Sequence, residues 1–526
     1  MSAAQDAPPD PYGTPLQGTP LVIMTAAIAF ATFMEVLDLT IVNVSVPTIA
    51  GALGVSPEEG TWAISSYALA SAIMQPLTGW IARRFGEVRT FTTSVLLFVV
   101  FSALCGLSTS MPMLVFFRLM QGMVSGPMVP LSLTLLFSIY PREKQGLALG
   151  LWAMTVVIAP IFGPVLGGYI TDNLHWSWIF LINIPVGLAA GLLTLTLMRG
   201  RESKTFKVPI DIVGLVLLAA GVGSLQFMLD NGNNMDWFAS PLILTLGLTA
   251  LVCLSFLIVW ELTDRHPVVD LRLFKYRNFT IGVLALTVGM FCFFGINVVY
   301  PLWLQTTLGY TAEWAGLATA PVGLLAVVLS PLVGKNLHRM DLRMAVSFAF
   351  IVFAWTSFWF AGFSTGSTFW QLVEPRLVQG IAIAFFFIPL NQIIIAGLRP
   401  DQIASASGLA NFFRTLASSV STAVTVTLWQ HRAEYHHAVL AEHVSLGNPG
   451  AVDYIDKVHA LGLHGSPGFG LIDTIVNKDA YTLAVNDVFW LFGWLFIVII
   501  PLIWLSRPPF NTAAGAGMQA ENGSGK

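Results

Sequence analysis

Residues 33–47 read FMEVLDLTIVNVSVP. They end an apolar run from about 21 to 47, longer than the roughly 20 residues an α-helix needs to cross the hydrocarbon core of a bilayer. Two carboxylates, Glu35 and Asp38, interrupt the run. A charge at membrane depth costs at least a few kcal/mol, so such groups face an interior and stand for function. Their i, i+3 spacing puts them on one face of a helix. The stretch predicts a first transmembrane helix, too long for a signal segment and therefore retained, whose acids point into protein.

The rest of the chain repeats the apolar part of that pattern. Of 526 residues, 55% are hydrophobic and 10% charged, and the mean hydropathy is +0.74; soluble domains carry about 25% charged residues. More than a dozen runs approach spanning length, which excludes a soluble enzyme. The net charge is −3 and the basic residues are scattered through short loops, so nucleic-acid binding has no support. Cys105, Cys253 and Cys292 fall inside apolar runs without CxxC or histidine spacing and read as small core residues.

The runs predict an all-α membrane protein with helices near 21–47, 61–81, 90–109, 112–138, 147–170, 177–198, 210–229, 240–261, 279–304, 314–334, 344–363, 370–397, 403–429 and 487–506, about fourteen in all. An even number puts both termini on one side. Most of the 25 basic residues, from Arg83, Arg84 and Arg89 through Arg272, Lys275 and Arg277 to Arg339 and Arg343, lie in loops on that side, whereas the opposite side has Arg432, Lys457 and Lys478. The positive-inside rule then makes both termini cytoplasmic. Residues 1–20, polar and Pro-rich, and 507–526, Gly/Ala-rich, are expected as disordered cytoplasmic ends.

An internal repeat divides the chain. RLMQG (118–122) returns as RLVQG (376–380), about 258 residues on, and GVSPEE (54–59) and PLTG (76–79) align at a similar offset with GYTAEW (309–314) and PLVG (331–334). Such an offset spans eight units of about 32 residues, not six, so two six-helix bundles of one topology flank an inserted pair. The expected units are 21–200, the inserted helices 7 and 8 in 201–265, the second bundle in 266–430 and 487–506, and a periplasmic loop at 431–486. That loop is the one long hydrophilic segment and contains His431, His436, His437, His443, His459 and His464. Their spacing fits no usual metal-ligand pattern, which leaves a solvated or partner-contacting loop.

Burial and a like-charged neighbour let a carboxyl bind and release a proton near neutral pH. Asp38 is the first candidate for that role and Glu35 the second. Arg118, with Gln121 and Gly122 on its face, is the positive partner. Protonation of Asp38 would break the pair and so link proton uptake to a change of helix packing; a permanent structural ion pair is the alternative. Arg376 repeats the pattern beside Glu374. APIFGPVLGGYI (159–170) sets Gly163 and Gly167 in small-xxx-small spacing with Pro160, Pro164 and Gly168, a run suited to close helix approach and a kink. GWIARRFGEVR (79–89) makes a tight loop with Gly79, Arg83, Arg84, Gly86 and Arg89. Phe293, Phe294, Asn297, Tyr300, Gln305, Asn391, Gln392, Asn411 and Arg414, with Gln121, interleave aromatics and amides as a large, weakly specific cavity for amphipathic compounds would; each taken singly also fits ordinary packing.

These motifs resemble the drug:proton antiporter branch of the major facilitator superfamily. LDLTIVNVSVP (37–47) is similar to the first-helix signature of its fourteen-helix exporters, RLMQG to the fourth-helix arginine motif, and APIFGPVLGG (159–168) to the fifth-helix antiporter motif. HWSWIFLINIPVG (175–187), GSLQFMLDNG, WELTD, VDLRLF and RNFTIG between 223 and 282, and ANFFRTLASS (410–419) extend the likeness from about 17 to 512. The resemblance implies the major facilitator fold, alternating access and export of hydrophobic or amphipathic drugs in exchange for protons across a bacterial inner membrane. It also implies a periplasmic adaptor with an outer-membrane channel, for which 431–486 is the candidate docking surface. The chain departs from the family in two places: Arg83 stands where an acid is usual, so that acid's charge-relay role does not transfer, and Glu35 is an extra acid. No cofactor beyond the proton gradient is implied, and no GxxxxGK[ST] occurs. Competing readings are an importer, a stand-alone exporter of one metabolite or fatty acid, and a non-transporting scaffold. Against an intramembrane enzyme, the sequence contains no HExxH and no GxSxG motif.

Overall fold

The computed structural model describes residues 15–510 apart from Ser56, Thr61, 142–143, Val208, Ile210, 233–234, 265–266, Val268, 400–401, 445–448 and 461–464. The expected ends 1–14 and 511–526 lie outside the described residues.

Among the described residues, fourteen long helical segments follow one another. They are α1 (Thr19–Leu53), α2 (Trp62–Phe85), α3 (Glu87–Gly106), α4 (Met111–Ser125 and Met128–Ile139), α5 (Gln145–Asn173), α6 (Trp178–Leu181 and Asn183–Leu197), α7 (Ile212–Asn231), α8 (Pro241–Thr263), α9 (Arg277–Thr306), α10 (Ala312–Thr319 and Pro321–Asn336), α11 (Leu342–Phe360), α12 (Phe369–Ile395), α13 (Ile403–Glu442) and α14 (Ser466–Ile503). Counting the described residues alone, eleven of them are long and apolar enough to cross a membrane by length and composition. α2, α5 and α13 complete the set. The chain is a multi-pass membrane protein.

Neighbours repeat across the halves. In the first, α1 packs on α5 and α6, α2 on α4, and α3 on α4 and α6; in the second, α9 packs on α13 and α14, α10 on α12, and α11 on α12 and α14. Between halves α2 meets α13 and α5 meets α10, a pair of contacts that exchange under the same pseudo-twofold relation. α7 and α8 pair with each other at the edge, and α8 leaves Leu248, Leu251, Phe256 and Val259 exposed, as a lipid-facing helix does. This is the arrangement of two six-helix bundles plus an inserted pair.

Both inter-half contacts depend on glycine. A Cβ on Gly150 would lie 2.6 Å from Ser330 O, and one on Gly408 would lie 2.5 Å from Gln75 O. Gly146 and Gly334 approach so closely that a Cβ on either would collide with the other's carbonyl oxygen. These contacts close the end of the bundle at which α1 starts and α14 stops.

The sequence places helix ends at the edge of the hydrocarbon, and one segment corrects that. The expected loop 431–486 is helical over most of its described length: α13 continues to Glu442, a short helix spans Pro449–Ala460, and α14 starts at Ser466. Asp487 Oδ2 accepts from Arg432 Nε at 2.7 Å and pairs with His436 Nε2 at 2.7 Å, while His437 Nε2 lies 3.0 Å from Asp473 Oδ1. His464 and the side chain of His459 lie outside the described residues.

Candidate functional site

The site begins with the way α5 positions α1. A Cβ on Gly163 would strike Thr40, and one on Gly167 would lie 2.6 Å from Ile41 O, so the two helices meet backbone to backbone beside the acids. Ser45 Oγ and Thr171 Oγ1, 2.6 Å apart, join them further along. Gly168 is half-buried on the same helix, and the side chains of Pro160 and Pro164 lie outside the described residues.

Asp38 is fully buried and every part of its carboxylate is engaged. Oδ2 accepts from Arg118 Nη1 at 2.5 Å, and Oδ1 accepts from Asn183 Nδ2 at 2.9 Å and Gln121 Nε2 at 3.3 Å. The guanidinium in turn donates to Gln121 Oε1 at 2.8 Å and, through Nε, to Ala63 O at 2.8 Å. Its flat faces are covered by Tyr67, 4.2 Å from the ring centroid, and Phe180 at 5.5 Å. Asn183 also donates to Ser102 Oγ at 3.0 Å, which donates to Phe180 O at 2.9 Å. A buried ion pair whose remaining donors and acceptors are satisfied is the arrangement that offsets desolvation, and loss of one partner strands the other.

Glu35 is also buried, but its Oε2 has no hydrogen-bond partner among the described residues. Arg414 on α13 and Asp38 lie within electrostatic range of it. Arg414 lines a small pocket between the halves together with Asn391, Asn411, Ser407, Leu133 and Trp152. The first half therefore puts two carboxyl groups on one helical face, one salt-bridged and one whose Oε2 has no partner among the described residues.

The second half repeats the arginine site with a change. Arg376 Nη1 donates to Gln379 Oε1 at 2.9 Å and to Asn297 Oδ1 at 3.3 Å, and Tyr300 and Phe360 cover the guanidinium at 4.3 and 5.5 Å. Glu374, expected beside Arg376, is instead exposed, because two residues along a helix face nearly opposite ways.

The expected cavity residues are divided among separate places. Asn391, Asn411 and Arg414 share the inter-half pocket, Gln121 belongs to the Asp38 site, and Asn297 and Tyr300 belong to the Arg376 site. Phe293 and Phe294 are half-buried neighbours of Asn297, Gln392 donates to Phe510 O at 2.9 Å, and Gln305 is exposed with its amide turned back on Pro301 O. The expected loop 79–89 is helical except at Gly86, because α2 runs on to Phe85 and α3 starts at Glu87; within α2, Gly79 packs on Ser405, Arg84 is exposed and Arg83 O accepts from Phe206 N at 2.8 Å. Gly86 adopts φ +95° and cradles Glu202, whose carboxylate accepts from Val88 N and Arg89 N, both at 2.9 Å. The sequence reading missed Asn183, Ser102 and Glu202. An amide in the middle of the apolar run 177–198 was the available signal for Asn183.

Comparison with known proteins agrees with this architecture. The family model of the Major Facilitator Superfamily matches residues 28–422. The multidrug export protein EmrB of Escherichia coli (strain K12) is 49% identical over 504 residues, covering 96% of this chain and 98% of EmrB. The fatty acid resistance protein FarB of Neisseria gonorrhoeae is 45% identical, covering 95% and 99%. The solved structure of the proton:xylose symporter XylE shares the fold, with a TM-score of 0.58 at 15% identity over 94% of this chain and 98% of its own. A matched family model and near-full-length relatives, on a chain folded as two six-helix bundles, place it plainly: it belongs to the Major Facilitator Superfamily, as an EmrB-like transporter rather than an enzyme.

Proposed function

We propose that the chain is a proton-coupled antiporter that exports hydrophobic or amphipathic drugs across the bacterial inner membrane. The observation that carries the reading is the Asp38 site: a buried carboxylate held by Arg118, Gln121 and Asn183 on the helix that α5 grips through Gly163 and Gly167. The names of the relatives, multidrug export and fatty acid resistance, support a drug or fatty acid as cargo.

Protonation of Asp38 removes the charge that Arg118 answers and leaves the guanidinium on Gln121 and the Ala63 carbonyl. The pair loosens, α1 shifts against α4 and α6, and the glycine contacts between α5 and α10 and between α2 and α13 release. With both termini in the cytoplasm, the end those contacts close is the cytoplasmic one. Drug then enters from the cytoplasm or inner leaflet, and the proton comes from outside. A potential of about 100 mV supplies about 2.3 kcal/mol per charge moved, enough for a roughly fifty-fold gradient. In everted vesicles, a drug added to the energised protein should release part of the pH gradient; no release would favour an importer.

The pump works, in this reading, as the inner-membrane part of a tripartite system with an EmrA-like periplasmic adaptor and a TolC-like outer-membrane channel. The helical extension made by α13, Pro449–Ala460 and α14 is the docking surface. Deleting residues 440–480 should spare transport by the isolated pump and abolish resistance in cells; unchanged resistance contradicts the docking role.

A further inference from the structure

A proton taken up by Asp38 from outside has to leave toward the cytoplasm, yet Asp38 sits in a closed shell. Arg118, Gln121 and Asn183 take both of its oxygens, Tyr67 and Phe180 cover the guanidinium, and the Cys105 thiol on α3 donates to Gln121 Oε1 at 3.6 Å. A proton crosses such a shell only through protonatable groups within reach of one another. Glu35 lies on the same face of α1, one turn nearer the end that the inter-half glycine contacts close, and Cβ atoms at this spacing are about 5–6 Å apart. Its Oε2 is buried without a partner among the described residues, and so is the hydroxyl of Tyr67 on α2. Buried polar atoms without partners are rare in native proteins and call for a reason.

Glu35 also faces the other half. Arg414 on α13 lies within electrostatic range of it, as do Asp38 and Tyr67 from its own half. α5 and α6, which grip α1, add no charge at this level: α6 has none, and α5 has only Asp172, next in sequence to the Thr171 that meets Ser45. Arg414 lines the inter-half pocket with the amides of Asn391 and Asn411 and with Ser407, whose Oγ is a further buried atom without a partner among the described residues. That pocket borders the closed seam between α2 and α13. Thr415, the residue after Arg414, donates to Gln75 Oε1 at 3.0 Å, and Gly408 admits the Gln75 carbonyl. Polar groups with spare capacity thus lead from Asp38 to the contact that has to open toward the cytoplasm.

We propose that Glu35 is a relay that carries the proton from Asp38 to the cytoplasm, by way of the Tyr67 hydroxyl on one side and the Arg414 pocket on the other. Once the seam opens, the Asp38 carboxyl gives its proton to the Tyr67 oxygen, and that hydroxyl passes its own proton to the Glu35 carboxylate, unchanged overall. Asp38 regains its negative charge and re-forms the pair with Arg118. Glu35 then gives the proton to water entering the pocket, and the Arg414 cation stands beside the carboxylate that is left. One proton moves, and Glu35 holds it only in passing. This inference rests on the antiporter reading and deepens it: Asp38 couples, and Glu35 sets how fast the coupled proton leaves.

The test follows proton movement in proteoliposomes with an imposed pH gradient, with ethidium as the drug and a pH-sensitive dye as the reporter. Glu35→Gln keeps the size of the side chain and removes its acidity. It should bind ethidium as the wild-type protein does and slow discharge of the gradient about tenfold or more, as loss of a proton-transfer group does. Proton transfer then becomes the slow step, so the ratio of rates in H2O and D2O should rise. Glu35→His restores a protonatable group and should recover the rate, which a residue that only packs would not allow. Size-exclusion chromatography confirms that each variant is folded. Discharge by Glu35→Gln at the wild-type rate overturns the relay. A slow Glu35→Gln protein with the wild-type isotope ratio, or one that Glu35→His does not repair, marks a structural role and overturns it as well. A wild-type protein that leaves the gradient intact with ethidium fails at the antiporter reading, and the relay falls with it; a wild-type protein that discharges the gradient no faster than Glu35→Gln fails at the relay alone.

Discussion

Arg118 and Arg376 occupy equivalent places in the two halves, 4.2 Å from the ring centroid of Tyr67 and 4.3 Å from that of Tyr300, yet one faces a carboxylate and the other an amide. The repeat thus preserves packing and changes chemistry. The first half pairs its arginine with a carboxylate, and the second holds an arginine whose Nε and Nη2 have no partner among the described residues.

Asn183 is tied to the charge of Asp38 and to Ser102. Hydrogen bonds to charged groups contribute about 1.5–3 kcal/mol, so Asn183→Leu should lower stability by about that amount and reduce export. Thermal unfolding of the purified variant measures the first effect and vesicle efflux the second. A melting temperature equal to that of the wild-type protein would show that the amide adds nothing to the pair.

Gly150 faces Ser330 O across the α5–α10 contact, and a larger residue there has only backbone to push against. Gly150→Leu should wedge the halves apart at that end. The reporter is Ser405→Cys, buried against Gly79 at the other inter-half contact. Its labelling by a water-soluble maleimide should rise several-fold when Gly150→Leu is added; unchanged labelling would mean that the two contacts do not move together.

Much of this was legible in the sequence, for physical reasons that differ by residue. The membrane-spanning helices follow from the length of apolar runs, and Asp38, Glu35 and Arg118 stand out because a charge in hydrocarbon is costly. The break of α4 between Ser125 and Met128 was not read, although Gly126 and Pro127 mark it. Hydropathy reports where the lipid ends and not where the helix ends, so the extensions of α13 and α14 stayed hidden. Gln305 and Gln392 were grouped with the cavity on composition, and only the fold shows one turned back on its own helix and the other held by the Phe510 carbonyl. Glu202 was invisible because its partners lie more than a hundred positions away.

Glu202 supplies an acid at the α2–α3 loop from the segment that leads to the inserted helices. Its carboxylate caps the amides of Val88 and Arg89, whereas its 3.8 Å contact with exposed Arg89 contributes little. A lost N-terminal cap costs about 1 kcal/mol, so Glu202→Ala should speed hydrogen exchange at Val88 and Arg89 several-fold. Exchange at the wild-type rate would contradict the cap.

The central claim is that the Asp38 carboxylate, released from Arg118 by a proton, drives the transport cycle. Its most direct test is Asp38→Asn in proteoliposomes carrying an imposed pH gradient, read by a pH-sensitive dye on addition of drug. The expected result is a variant that inserts normally and responds to drug with no proton movement, while the wild-type protein discharges the gradient. Proton movement by the variant at the wild-type rate would contradict the claim and transfer the role to Glu35.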